Sequence, residues 1–198
     1  MSQIPRNRYV TFFLIALLGL AIDLGSKDAV FAKLGGIGVP GADVYEFVGG
    51  WSTFRLFTSI NHGALWGIGQ GMTWLFALLS VVAVGGVIVW LFVYGAAKSL
   101  WLTVSLGLIM SGTLGNLYDR AGLHGLTEPD GAAIYGVRDF LLFTFGDFHW
   151  PVFNFADVFL VTGAIMLAIQ SLRAEAAEKL ENSATSEAGS DPSARAVA

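Results

Sequence analysis

Cysteine is absent from this chain, which removes a thiol nucleophile, a cysteine-based metal centre and any disulfide framework at once. Charge is scarce as well. Only 13% of the residues are Asp, Glu, Lys or Arg, about half of the roughly 25% usual in a soluble domain. The net charge is -4 and no Lys/Arg run occurs, so nucleic-acid binding has no electrostatic footprint here. The three histidines, His62, His124 and His149, are scattered and form no His-Glu-x-x-His spacing, so neither a metal nor another cofactor is expected. What is abundant is apolar surface: 55% of the 198 residues are hydrophobic.

Crossing a bilayer takes about 20 mostly apolar residues. Four stretches qualify, at about 9–24, 73–94, 100–117 and 152–172. The first has the basic start of a secretory signal peptide, but no small-x-small cleavage site follows and Asp23 interrupts it, so a retained anchor is expected. With the N-terminus inside, Arg6, Arg8, Lys98, Arg173, Lys179 and Arg195 fall on the cytoplasmic side. Lys27, Lys33, Arg55, Arg120 and Arg138 fall outside. The excess is small, yet the basic start and Lys98 in the shortest link place both termini in the cytoplasm.

Two segments then face outward. Residues 28–71 alternate, as in Val44-Tyr45-Glu46-Phe47 and Phe54-Arg55-Leu56-Phe57, which reads as short strands or an interfacial platform. Residues 118–150 are more polar and carry the turn signal Pro129-Asp130-Gly131. The expected fold is an all-α membrane protein of four transmembrane helices with a small extracytoplasmic β-like platform and loop. Residues 1–172 form the membrane domain. The Ala/Ser/Glu-rich tail, 173–198, extends the last helix briefly and then becomes largely disordered in the cytoplasm.

Carboxylates at membrane depth are costly and mark function by default. Asp23, Asp119, Asp139 and Asp157 all lie at or near span ends on the predicted outer side. Asn154 and Asp157 share a helical face, as a helix cap or as part of a site. Asn116, Asp119 and Arg120 share another, where a polar network anchoring the helix end competes with Arg120 holding a substrate carbonyl. Asp23 and Lys27, four apart, suit a helix-end ion pair. Asp139 follows Arg138, which need not face the same way, and has no local explanation. Other intramembrane protease chemistries fit poorly. Ile109-Met110 precede Ser111-Gly112 where a rhomboid-type serine protease has Gly-x-Ser-Gly. Thr144 precedes Phe145-Gly146-Asp147 where a presenilin-type protease has Gly-x-Gly-Asp.

Five blocks, in order, resemble the lipoprotein signal peptidase (signal peptidase II) family from about residue 9 to 172. They are Asp23-Leu24-Gly25-Ser26-Lys27, Asn61-His62-Gly63-Ala64-Leu65-Trp66-Gly67, Gly115-Asn116-Leu117-Tyr118-Asp119-Arg120, Gly136-Val137-Arg138-Asp139-Phe140 and Trp150-Pro151-Val152-Phe153-Asn154-Phe155-Ala156-Asp157. The resemblance implies an aspartyl endopeptidase of the bacterial inner membrane, with its site near the periplasmic face. It would cleave diacylglyceryl-modified prolipoproteins before the lipidated cysteine. It implies Asp139 and Asp157 as the catalytic pair, Asn61, Gly63, Asn116, Arg120 and Asn154 as substrate-binding residues, and Asp23, Lys27 and Asp119 as structural polar residues. Partners would be the prolipoprotein and membrane lipid, with the oligomeric state left open and a monomer compatible with it. Two departures stand out: Arg138 replaces an apolar residue, and Ala64-Leu65-Trp66-Gly67 replaces Ala-Ala-Phe-Gly/Ser. Residues 121–135 are also longer than the pattern, which leaves Asp147 as a nearby rival to Asp139. The competing classes are a proton-coupled carrier using the same aspartates and a non-enzymatic four-span scaffold.

Overall fold

A computed structural model describes residues 4–63 and 69–189. Helix α1 (Arg6–Leu34) is followed by strands β1 (Pro40–Phe47) and β2 (Ser52–Asn61) and by helix α2 (Thr73–Ile88), which widens into a π turn over Val89–Val93. Then come α3 (Leu100–Arg120), β3 (Val137–Phe145), β4 (Phe148–His149) and α4 (Phe155–Gly189). Among the described residues, four helical segments are long and apolar enough to cross a membrane: Arg6–Leu34, Thr73–Val93, Leu100–Arg120 and Phe155–Ala177.

The ends differ from the sequence expectation for physical reasons. The first span continues past residue 24 to Leu34 because Asp23 and Lys27, which look like breaks in an apolar run, are fully buried against each other and against α3. The last begins at Phe155 rather than 152, since residues just before it are engaged by the sheet: Phe153 N–H donates to Leu141 O at 3.2 Å. It also runs on through Gly189, further than the brief extension expected of the tail.

Helix α3 is the hub. Some 56% of its most apolar window is buried, against 22% or less for the other three. Small residues let its neighbours approach: a Cβ on Gly112 would collide with the Ala156 carbonyl and the Leu160 side chain of α4, and one on Gly163 would meet Ser105 O of α3. Such close backbone approach is how helices associate where lipid supplies no hydrophobic drive. Replacing Gly112 with Ala should therefore cost about 1–3 kcal/mol, as overpacking does, read as a lower unfolding temperature in detergent. An unchanged melt would show that α3 and α4 can part without penalty. At one end of the bundle Phe12, Ala16, Val87, Leu91, Leu106 and Met110 form an apolar cluster.

At the other end sits an antiparallel sheet of order β1-β2-β3-β4. The expected platform is thus present, and it takes in residues 137–145, which read from sequence as part of a polar loop. Ser59 pairs with Asp139 and Ile60 with Arg138. Leu141 bridges to Phe153, so β3 is sewn to the entry of α4. The longer stretch after α3 folds back through a bridge between Thr127 and Ala133. Its expected turn is made, with Gly131 N–H donating to Glu128 O at 2.9 Å.

Candidate active site

The stitch between β3 and α4 decides where the carboxylates lie. Asp157 occupies the first turn of α4 and Asn154 precedes it. Asp157 N–H donates to Asn154 Oδ1 at 3.0 Å, and Asn154 N–H returns a bond to Asp157 Oδ2 at 3.3 Å. This is the reciprocal pairing of a helix-start box, so the capping role is real. It does not exhaust either residue. Asp157 Oδ1 accepts from Asn116 Nδ2 at 2.9 Å. Asn154 Nδ2 reaches Asp139 Oδ1 at 2.6 Å. One buried asparagine thereby touches both aspartates.

Asp139 projects from β3 and is 2% exposed. Its second oxygen accepts from Asn61 Nδ2 at 3.2 Å. Burial pushes its carboxyl well above the ordinary aspartate range, and the nearby charge of Asp157 pushes the same way. Lys27 and the bonds from Asn61 and Asn154 pull back only in part.

The three asparagines share a design. Each has its carbonyl end occupied by a donor, which turns its NH2 toward a carboxylate. Asn61 Oδ1 accepts from Gly63 N–H at 3.0 Å, and Asn116 Oδ1 accepts from Lys27 Nζ at 3.2 Å. Asn154 Oδ1 takes the Asp157 N–H already described. An ammonium can only donate, so Lys27, together with Asn154 Nδ2 at 3.3 Å from the same oxygen, fixes which way Asn116 faces.

Asn61, Gly63, Asn116, Arg120, Asp139 and Asp157 line one cavity of about 520 Å³. Arg120 Nη2 donates to Gly63 O at 3.3 Å and its guanidinium lies 5.5 Å from the centre of the Phe76 ring. Beside Asp157 opens an apolar groove of about 550 Å³, walled by Phe143, Phe145, Trp150 and Phe153 of the sheet side and by Val158 and Val161 of α4.

Behind the cavity lies a buried ionic network. Lys27 Nζ is 2.7 Å from Asp23 Oδ2 and 3.1 Å from Asp119 Oδ2, and all three side chains are fully buried. Asp23 Oδ1 also accepts from Ala156 N–H at 2.8 Å, tying α1 to α4. Asp23 and Lys27 form the ion pair expected of their spacing, and Asp119 joins the polar network expected at the end of α3.

Sequence reasoning misses the ion pairs that Arg138 makes with Asp119 and Asp28. Arg138 is buried, with its Nη2 3.0 Å from Asp119 Oδ1 and its Nη1 2.5 Å from Asp28 Oδ1. Recognising 137–145 as a strand would have singled out Arg138, since neighbours on a strand point to opposite faces. Arg138 must then turn away from Asp139. Asp147, the rival carboxylate, is exposed in the turn between β3 and β4, away from the cluster. Of the histidines, His62 bonds Tyr135 O at 2.8 Å and His124 accepts from Leu126 N–H at 3.0 Å. The Ala64-Leu65-Trp66-Gly67 departure lies outside the described residues.

Comparison with known proteins points one way. Residues 15–173 match the family model described as signal peptidase (SPase) II. A lipoprotein signal peptidase of Rhodopirellula baltica is 46% identical over 172 residues, covering 86% of this chain and 75% of that relative. Another, from Bacillus pumilus, is 35% identical over 161 residues, covering 81% of this chain and 92% of the relative. A solved bacterial membrane enzyme superposes with a TM-score of 0.63 at 29% identity, covering 82% of this chain and 88% of that one.

Proposed function

The chain belongs to the signal peptidase II family of aspartic peptidases, and from that premise we propose that Asp139 and Asp157 jointly cleave the signal peptide from diacylglyceryl-modified prolipoproteins before the lipidated cysteine. The observation that carries the reading is the pairing itself. Two carboxylates from separate elements meet through Asn154 at one cavity. In the proposed step the pair shares one proton, held by Asp139, whose carboxyl is pushed well above the ordinary aspartate range by burial and by the nearby charge of Asp157. Asp157 takes a proton from the attacking water while Asp139 polarises the scissile carbonyl and protonates its oxygen. As the C–N bond breaks, Asp157 gives its proton to the leaving amine and Asp139 recovers a proton from a hydroxyl of the tetrahedral diol, which leaves as the carboxylic acid product. This is the division of labour of two close carboxylates, and no covalent intermediate is needed. Arg120, and the second N–H of the Asn61 and Asn116 amides whose first N–H is spent on the carboxylates, would hold peptide carbonyls and developing negative charge.

The groove beside Asp157 suits an apolar chain, which could remain in lipid while the peptide bond enters the polar cavity. Four spans return the chain to the side on which it starts. Arg6, Arg8 and Lys98 favour a cytoplasmic start, so both termini are proposed to lie inside, with the carboxylates near the periplasmic face of the inner membrane. A proton carrier would distribute ionisable groups across the bilayer, whereas Asp23, Lys27, Asp119, Arg138, Asp139 and Asp157 gather at one end. The direct test is to incubate the purified protein with a diacylglyceryl-modified prolipoprotein and follow its mobility on gels. A shift to the mature size is expected. Full-length substrate persisting beside a well-folded enzyme would overturn the proposal.

The pH dependence follows from the pairing. Below the lower apparent pKa both carboxyls are protonated and there is no base; above the upper one both are ionised and there is no acid. Because Asp139 is pushed upward, the alkaline limb of kcat/KM should fall well above the ordinary aspartate value of about 3.9. A rate that rises to a plateau and shows no alkaline limb traceable to Asp139 would contradict a shared proton.

A further inference from the structure

Buried charge must balance. Asp23 and Asp119 are both fully buried, and Lys27 alone lies between them. A single ammonium facing two carboxylates leaves one negative charge uncompensated, and Arg138 supplies the second cation. Its backbone N–H donates to Asp119 Oδ2 at 2.9 Å while its Nε donates to Oδ1 at 3.1 Å, so Asp119 is gripped on both oxygens. Asp28, on the exposed side of α1, secures the far end of the guanidinium. The grip continues toward the cavity. Asp119 shares Lys27, Lys27 donates to Asn116 Oδ1, and Asn116 Nδ2 donates to Asp157. The carbonyl of Arg138 also accepts from Asn154 Nδ2 at 3.4 Å.

We propose that Arg138 is a positioning residue for the reaction: by clamping Asp119 it keeps Lys27 on Asn116, and so keeps the Asn116 amide aimed at Asp157. The inference rests on Asp139 and Asp157 being the reacting pair. Without Arg138, Lys27 is the only cation left for Asp23 and Asp119, and it is drawn off Asn116, whose Oδ1 then keeps only the 3.3 Å bond from Asn154 Nδ2, a group already shared with Asp139 and the Arg138 carbonyl. The charged groups that meet at this point are Asp23, Lys27 and Asp28 from α1, Asp119 and Arg120 from α3, Arg138 and Asp139 from β3 and Asp157 from α4. His124, on the segment after α3, senses Asp119, Arg138 and Lys27. Losing one cation from this set raises the proton affinity of the carboxylates that remain.

The test compares Arg138→Met, Arg138→Lys and Arg138→Met with Asp119→Asn, each scored as kcat per folded enzyme and as a full pH profile, with Asp157→Asn in parallel. Arg138→Met should lose about tenfold or more in kcat, the scale on which groups that hold a reacting residue act. KM should change little, and both limbs of the profile should move to higher pH. Lysine should restore part of kcat. The double variant, which removes one charge of each sign, should exceed Arg138→Met alone. A role confined to folding would reduce the yield of enzyme and leave the profile where it was. Wild-type kcat and profile in Arg138→Met beside an inactive Asp157→Asn would overturn the positioning role and leave the reaction assignment standing. An active Asp157→Asn would remove the reaction assignment and this role with it. If Arg138→Met does not fold, Arg138→Lys decides: a lowered kcat with a displaced profile supports the clamp, and wild-type values overturn it.

Discussion

Asp139→Asn and Asp157→Asn should each abolish prolipoprotein processing while leaving an inserted, folded protein. The proposed step needs a proton taken from water and a proton given to the carbonyl, and an amide can do neither. Positioned acid–base groups are worth about 10²–10⁴-fold each, and a pair that works as a unit loses nearly everything when either member is removed. Folding should survive because asparagine has the same shape. At position 157 its carbonyl can still accept from Asn116 Nδ2, at the cost of the longer bond from the Asn154 N–H. At position 139 one of the two donors, Asn61 or Asn154, would face an NH2 instead of an oxygen. That lost bond is offset in part by relief of the like charge beside Asp157. Purified variants should show wild-type unfolding temperatures and no shift of substrate on gels. Asp147→Asn should process normally, because Asp147 is exposed in a hairpin turn outside the cavity. Cleavage by Asp139→Asn at near-normal rate, or loss of activity in Asp147→Asn, would move the second carboxylate of the pair away from Asp139.

Much of this arrangement is legible in the order of the residues. Apolar runs alone locate four spans, and the residues that interrupt them locate the polar end of the bundle. Asp23 and Lys27 four apart, Asn116 with Asp119 and Arg120, and Asn154 with Asp157 are all helix-face relations, which spacing encodes directly. What spacing does not encode is the contact between elements distant along the chain. Asp139 sits on a strand whose register with β2 and whose bridge to Phe153 bring it to Asn154. No periodicity in residues 118–150 announces that strand, because its face toward the bundle is polar at Asp139 and apolar at Val137. Arg138 stands out in the sequence only as a departure, and its pairing is hidden for the same reason, since its partners Asp119 and Asp28 lie on α3 and α1. Hydropathy understates the length of α1 because a polarity scale treats Asp23 and Lys27 as two penalties, while the fold treats them as one buried pair.

That buried pair makes Lys27→Met the most destabilising single change expected. The lysine stem has about the volume of methionine, so packing should be nearly preserved and the loss should fall on charge. Asp119 would still have Arg138. Asp23 would retain only the Ala156 N–H, leaving a fully buried carboxylate without its cation. Breaking a buried pair by removing one partner costs about 3–5 kcal/mol, most of it the penalty of the stranded charge rather than the worth of the bond. The sign follows from that asymmetry. Asp23→Asn combined with Lys27→Met removes both charges and should recover half or more of the loss, a coupling of the kind neighbouring sites show in a double-mutant cycle. Unfolding in detergent, followed by temperature or denaturant for the two singles and the double, measures it. Activity adds a second reading. Even the recovered double variant should process less well, because Asn116 Oδ1 has lost one of the two donors that turn its NH2 toward Asp157 and keeps only the shared Asn154 Nδ2. A double variant no more stable than Lys27→Met would mean that the lysine stabilises through its buried stem. One that regained full activity would mean that Asn116 holds its orientation without Lys27.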